Sequence, residues 1–249
     1  MKKEIVDEYK TTLLNEFYYE LNFDHRTKLY VIKGNIFNAF ALPDNSIFVF
    51  ENVLENIESY PELAALLAHE YAHIQQRHGM KSLANAITWE LAGTLITFGN
   101  NAEDFIRNAN LLLGLSYSRE FETQADLKGL YLLEKNSIDT RGMIDLFNRM
   151  LKMEGVKKDR NSIYLSTHPD TEDRLKEVIH LIKQQKNQYK INETLDSLFI
   201  NLKAPKTKLK PKNTLPTDHI IDEFSDSVAP LVDESVAPIV DESVEVIGF

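Results

Sequence analysis

Leu63-Ala64-Ala65-Leu66-Leu67-Ala68-His69-Glu70-Tyr71-Ala72-His73 is the stretch on which the reading of this chain turns. It is apolar, free of glycine and made largely of strong helix formers. On an α-helix His69 and His73 lie four residues apart, one turn along the same face, so both imidazoles reach a single metal ion. Glu70, beside the first histidine, is placed to take a proton from water bound to that ion. Pro61 stands just ahead, in the first-turn position that proline favours, and marks where the helix begins.

A hydrolytic metal centre needs a third protein ligand and leaves its fourth position to water. Candidates occur at Ser118-Arg119-Glu120-Phe121-Glu122-Thr123-Gln124-Ala125-Asp126. Glu122 and Asp126 are again spaced i,i+4, so one can ligate while the other orients a ligating imidazole through its second N–H. Glu120 is the rival to Glu122. Two further stretches stand out: Asn38-Ala39-Phe40-Ala41-Leu42-Pro43 followed by Ser46-Ile47-Phe48-Val49, and Ser166-Thr167-His168-Pro169 with Arg174.

Taken in order, these four blocks resemble metallopeptidase family 48, the group of HtpX, BepA and the CAAX prenyl proteases. The pairing of H-E-x-x-H with S-R-x-x-E-x-x-A-D, preceded by N-A-F-A-L-P and followed by S-T-H-P-x-x-x-x-R, carries the resemblance. It implies a zincin-like fold holding one Zn2+ per chain on His69, His73 and Glu122, with Asp126 behind a histidine ligand. It also implies that His168 faces the metal, touching the tetrahedral intermediate or capping the ion. Arg174 has two readings, an oxyanion stabiliser or a structural partner for a carboxylate. Glu70 is expected to accept a proton from the metal's water and return it to the leaving amine. The Asn38–Ala41 strand (Asn38, Ala39, Phe40 and Ala41) is expected to offer an edge to which a polypeptide substrate adds in extended form. That mode reads backbone and suits unfolded or flexible chains. The expected function is a zinc metalloendopeptidase of protein quality control, with a chaperone-like or partner-binding protein of weak hydrolysis as the alternative.

Hydrophobic spacing around the motif frames an α+β, mostly helical domain with a small β-sheet. Residues 3–22 read as one helix. Three β-type runs follow at Lys28–Ile32, Ile36–Ala41 and Ser46–Phe50, the last two joined by a turn at Pro43-Asp44-Asn45. Helical patterns then dominate to about Leu202. Leu91–Phe98 reads as a buried helix between the metal-binding helices, with a membrane-facing hairpin through Trp89 and Phe98 as the alternative. That second reading would give a peripheral membrane contact.

Residues 1–203 are therefore expected to form the peptidase domain and 204–249 a disordered tail. The tail opens with lysines alternating with Pro205 and Pro211, then repeats Ser-Val-Ala-Pro-Leu/Ile-Val-Asp-Glu at Ser227–Glu234 and Ser235–Glu242. Its Val-Ala-Pro segments could add to a sheet edge, in this chain or a partner. Beyond Asn213 the chain carries nine acidic residues and no Lys or Arg, so nine of the ten net negative charges lie there. Residues 1–212 are nearly neutral, which gives no electrostatic footprint for nucleic acid. Without cysteine, thiolate ligands and disulfides are excluded. The N-terminus lacks an apolar segment behind its two lysines, and the expectation drawn from this is a cytoplasmic protein.

Overall fold

The computed structural model describes residues 6–86, 117–156, 168–184 and 189–204. The Leu91–Phe98 segment and the repeats of the tail lie outside the described residues. All the elements named below belong to the unit Met1–Thr207.

Helix α1 (Glu8–Glu20) begins where Asp7 accepts a hydrogen bond from the Lys10 amide, the side-chain cap that aspartate favours. It buries Leu14 and Phe17 against a three-stranded sheet of order β1-β3-β2, formed by β1 (Lys28–Ile32), β2 (Ala39–Ala41) and β3 (Ser46–Phe50). Strand β1 runs parallel to β3, and β2 pairs with β3 as the hairpin that the Pro43-Asp44-Asn45 turn foretold. Asn45 takes a left-handed φ of 74° in that turn, a conformation asparagine tolerates. A stacked row of Tyr30, Phe48 and Phe40 crosses all three strands on one face, with centroid spacings of 4.9 and 5.3 Å. Strand β2 is shorter than the Ile36–Ala41 run suggests, and it stands at the sheet's edge.

After the short α2 (Glu51–Asn56) comes α3 (Tyr60–Gln75), the helix that carries the histidines. Ser59 caps it through the Glu62 amide, and the Glu62 carboxylate reaches back to the Glu58 amide at 2.9 Å. Every residue from Tyr60 to His73 except Pro61 is buried, as befits a helix apolar on all sides. Against it pack β2, α5 (Arg119–Lys135) and α6 (Arg141–Val156), while α4 (His78–Ala86) follows it. Arg149 of α6 binds the buried Glu62 carboxylate at 2.7 Å, pinning α6 to the start of α3. Two glycines permit the close approach. A Cβ on Gly142 would lie 2.2 Å from the Pro61 carbonyl oxygen, and one on Gly129 would lie 2.9 Å from Met143 Cε and 3.5 Å from the His69 amide nitrogen. The second of these lets α5 rest on the turn of α3 that bears the first histidine.

Helices α7 (Thr171–Gln184) and α8 (Glu193–Lys203) complete the layer, α7 against α6 and α8 against α1. Among the described residues no helix is long and apolar enough to cross a membrane.

Candidate metal centre

Four side chains from three places converge in the interior. His69 and His73 come from α3, Glu122 from the first turn of α5, and His168 from the segment leading into α7; all four are buried. Ser118 positions the third by capping α5, accepting from the Phe121 amide at 3.2 Å. The Arg119 guanidinium reaches Asp170 at 2.5 Å, tying the His168 segment to the start of α5.

The two Nε2 atoms of His69 and His73 are 3.0 Å apart, and His69 Nε2 lies 3.3 Å from His168 Nδ1. Glu122 Oε1 is 3.0 Å from His168 Nδ1 and 3.4 Å from His73 Nε2, and Glu122 Oε2 is 3.6 Å from His69 Nε2. A tetrahedral site with metal–ligand bonds of about 2.0–2.1 Å has edges of about 3.3–3.4 Å, a value these separations bracket. The donor set, imidazole nitrogens with a carboxylate, suits a divalent transition metal. Beside it sits Glu70, fully buried, its carboxylate oxygens without a close side-chain hydrogen bond, with His168 Nε2 3.7 Å from Oε1 and the Ala41 amide acting on it. Holding a charged carboxylate out of water costs on the order of several kcal/mol, which a nearby cation would offset. The residues present fit a divalent ion.

Behind the ligands stands a second row. Asp126 Oδ1 lies 2.9 Å from His69 Nδ1, and Arg174 holds both Asp126 oxygens, through Nε and Nη2, at 2.7 Å each. Its remaining Nη1 reaches Glu122 Oε2, and the guanidinium lies 5.0 Å over the Phe147 ring. Of the two readings of Arg174, the geometry favours the structural clamp, since its donors are turned to carboxylates behind the metal position. The surroundings set the charges. Burial pushes the Glu70 carboxyl up to about 8, with nearby Glu122 adding to the rise and His69, the Ala41 amide and Arg174 opposing it. Burial would push Glu122 and Asp126 up as well, but His168 and Arg174 hold Glu122 below the usual range, and Arg174 and His69 do the same for Asp126. Burial, with the neighbouring His69, His168 and His78, drives His73 well below its ordinary value, leaving it a neutral donor of a lone pair.

The clamp yields a prediction. Replacing Arg174 with Met leaves two buried carboxylates unopposed, and should cost about 3–5 kcal/mol in the metal-free protein. A second change, Asp126→Asn, should recover part of that loss, as read by denaturant unfolding of the four members of the cycle.

The edge strand is also near the chemistry. The Leu42 amide donates to Ser46 O at 2.8 Å and the Phe50 amide to Asn38 O at 3.0 Å, so Asn38 and Leu42 face β3. Alternation along an antiparallel ladder then turns the backbone groups of Ala39 and Ala41 to the outer edge, where the Ala41 amide acts on Glu70. Phe40 lies between them, its ring in the aromatic row. The Asn38 side chain is fully buried with both polar atoms unpartnered.

Sequence reading passed over three neighbours. Tyr117 stacks on His73 with centroids 4.0 Å apart, and His78 places Nδ1 2.9 Å from His73 Nδ1. Gln124 Oε1 accepts from His78 Nε2 at 3.1 Å. Glu120, the rival ligand, is exposed and accepts a bond from the Gln124 amide instead. His78 follows His73 by five residues, off the helical face, and only the left-handed Arg77 (φ 55°) at the end of α3 swings it back. No sequence spacing announces that turn.

A helix with paired histidines, a buried glutamate converging on them from a second helix and a further buried glutamate beside them are features of the metallopeptidase class. The chain belongs to that class's peptidase family M48, whose model matches residues 6–182. Among similar curated proteins are the mitochondrial metalloendopeptidase OMA1 of Schizosaccharomyces pombe, 34% identical over 160 residues covering 62% of this chain and 46% of that protein. The protein of the same name in Saccharomyces cerevisiae is 31% identical over 144 residues, 55% of this chain and 41% of the relative. The beta-barrel assembly-enhancing protease of Yersinia pestis is 23% identical over 211 residues, 79% of this chain and 42% of the relative. The chain thus spans less than half the length of these curated relatives.

These relatives overturn one expectation. A plain cytoplasmic location does not stand beside relatives named as mitochondrial. The physical reason is that an address resides in short segments read by a receptor or translocon, whereas the packing of a peptidase core is the same in any compartment.

Proposed function

We propose that this chain is a zinc-dependent metalloendopeptidase that hydrolyses unfolded or flexible polypeptides in protein quality control. The observation that carries the reading is the convergence of His69, His73 and Glu122 beside the fully buried Glu70 carboxylate. A divalent ion held by those three ligands supplies Lewis-acid polarisation of the scissile carbonyl and an acidified water.

The chain's own residues do the rest. A substrate strand adds to the outer edge of β2, pairing with the backbone of Ala39 and Ala41, and passes beside Glu70. Glu70 takes the proton of the attacking water and hands it to the leaving amine. Asp126 keeps the His69 ring oriented, and Arg174 keeps Asp126 in place. His168 stands at the fourth corner, where water must enter, so turnover requires it to withdraw. That same corner favours the second reading, a partner-binding or chaperone-like protein whose hydrolysis is weak because His168 stays in place.

Cleavage of casein, lost on chelation and restored by added zinc, is the expected result for the peptidase; zinc-loaded protein that leaves casein intact favours the second reading. Asn38 gives a finer test. Its idle amide is poised for substrate backbone, so Asn38→Ala should lower kcat/KM by at least about tenfold while shifting unfolding stability by less than about 1 kcal/mol.

A further inference from the structure

We infer that His78 and Gln124 form a hydrogen-bond relay that fixes His73 in the tautomer whose Nε2 lone pair faces the metal ion, which makes His78 a positioning residue of the site. The inference rests on the reading of His69, His73 and Glu122 as ligands. It follows from a chain of donors and acceptors whose outer end admits one arrangement.

The outer end is Glu120. Its carboxylate only accepts, and Gln124 Nε2 donates to it at 3.1 Å, which fixes which end of the Gln124 amide is which. Gln124 Oε1 therefore faces His78 Nε2 at 3.1 Å, and because an amide oxygen only accepts, His78 carries its proton on Nε2. A neutral imidazole protonated there has its lone pair on Nδ1. That lone pair faces His73 Nδ1 at 2.9 Å, so the His73 proton sits on Nδ1 and Nε2 is bare. The bare nitrogen is the one 3.0 Å from His69 Nε2, on the side where the four candidate ligands meet.

Packing holds both rings in that pose. Phe121 lies flat on His78 with centroids 4.4 Å apart and planes 7° from parallel, and Tyr117 lies on His73 at 18°. His78 is fully buried, so water does not compete for the bond. The two ligating histidines are thus oriented by different chemistry. His69 leans on a carboxylate, Asp126, itself balanced by Arg174. His73 leans on a neutral imidazole, which sets direction without adding another negative charge to a site already holding Glu70, Glu122 and Asp126.

Two readouts test the relay: long-range 15N–1H NMR correlations of His73 in the metal-free protein, and zinc affinity by competition with a chromophoric chelator. The native chain should show the Nδ1–H tautomer. His78→Phe keeps the ring volume and the Phe121 stack but removes both nitrogens. It should move His73 toward the Nε2–H tautomer and weaken zinc binding about 10–100-fold. His78→Asn, whose carbonyl can accept from His73 and whose amide can donate to Gln124, should stay within about threefold of native affinity. Gln124→Leu, a milder change one residue pair further out, should lower affinity several-fold. Native affinity and an unchanged His73 tautomer in His78→Phe would overturn the relay, as would His78→Asn binding as weakly as His78→Phe. If the native chain takes up no zinc, the metal reading itself fails, and the tautomer readout still judges the relay.

Discussion

Glu70→Gln should abolish casein cleavage, lowering kcat/KM by at least about 10³-fold, while the protein still binds one zinc ion. General acid–base work contributes about 10²–10⁴-fold, and here one carboxylate serves both proton transfers, so the loss falls toward the upper end. The amide preserves the shape of the side chain but cannot accept the proton. Metal retention is expected because Glu70 is not among the four converging ligand atoms, whose positions are set by α3, α5 and the His168 segment. Measuring zinc content and turnover on the same preparation separates a lost base from a lost site. Turnover retained by the variant would remove Glu70 from the chemistry.

The same substitution should stabilise the metal-free protein at alkaline pH. In the folded chain the Glu70 carboxyl is raised from its ordinary value near 4.5 to about 8, mainly by burial. A group raised in this way binds its proton more tightly folded than unfolded, so folding stability falls as pH rises between those two values. Below pH 4.5 both states are protonated and no penalty exists; above about pH 8 the folded state carries the full penalty, about 4–5 kcal/mol for a shift of this size. Glutamine does not titrate. In denaturant unfolding after chelation, Glu70→Gln should match the native protein near pH 4.5 and exceed it by several kcal/mol near pH 8. Glu122 and Asp126, held below their ordinary range, lose their stabilising effect only toward more acid pH, below most of this window. A difference that stays flat across this window would mean that the buried carboxyl does not carry the penalty.

The parts of the site legible in the sequence are those governed by helical period. His69 with His73, and Glu122 with Asp126, are i,i+4 pairs, and a helix of 3.6 residues per turn brings each pair to one face whatever the rest of the fold does. Pro61 announced a helix start, and the structure places it in the first turn of α3, while the Ser59 and Ser118 caps came to light only there. Likewise the β2–β3 hairpin was visible in a turn of three residues that favour turns. What stayed hidden depends on how elements meet. Gly142 against Pro61 and Gly129 against Met143 set the approach of α5 and α6 to α3, and nothing in their local sequence says so. Arg174 could be read as facing substrate or backing a ligand until α7 was seen to aim it at Asp126. The place of His78 was equally hidden, because the left-handed turn that redirects it sits at Arg77 with no glycine to give it away.

Zinc content of the purified chain, with and without its proposed ligands, bears most directly on the site. The native protein, reconstituted with zinc and dialysed, should hold one ion per chain; His69→Ala, His73→Ala or Glu122→Ala should each bind it far more weakly, with the remaining helical content preserved. A native chain that comes through with no bound ion, or a Glu122→Ala protein that keeps a full equivalent, would contradict the convergence of these three residues on one metal.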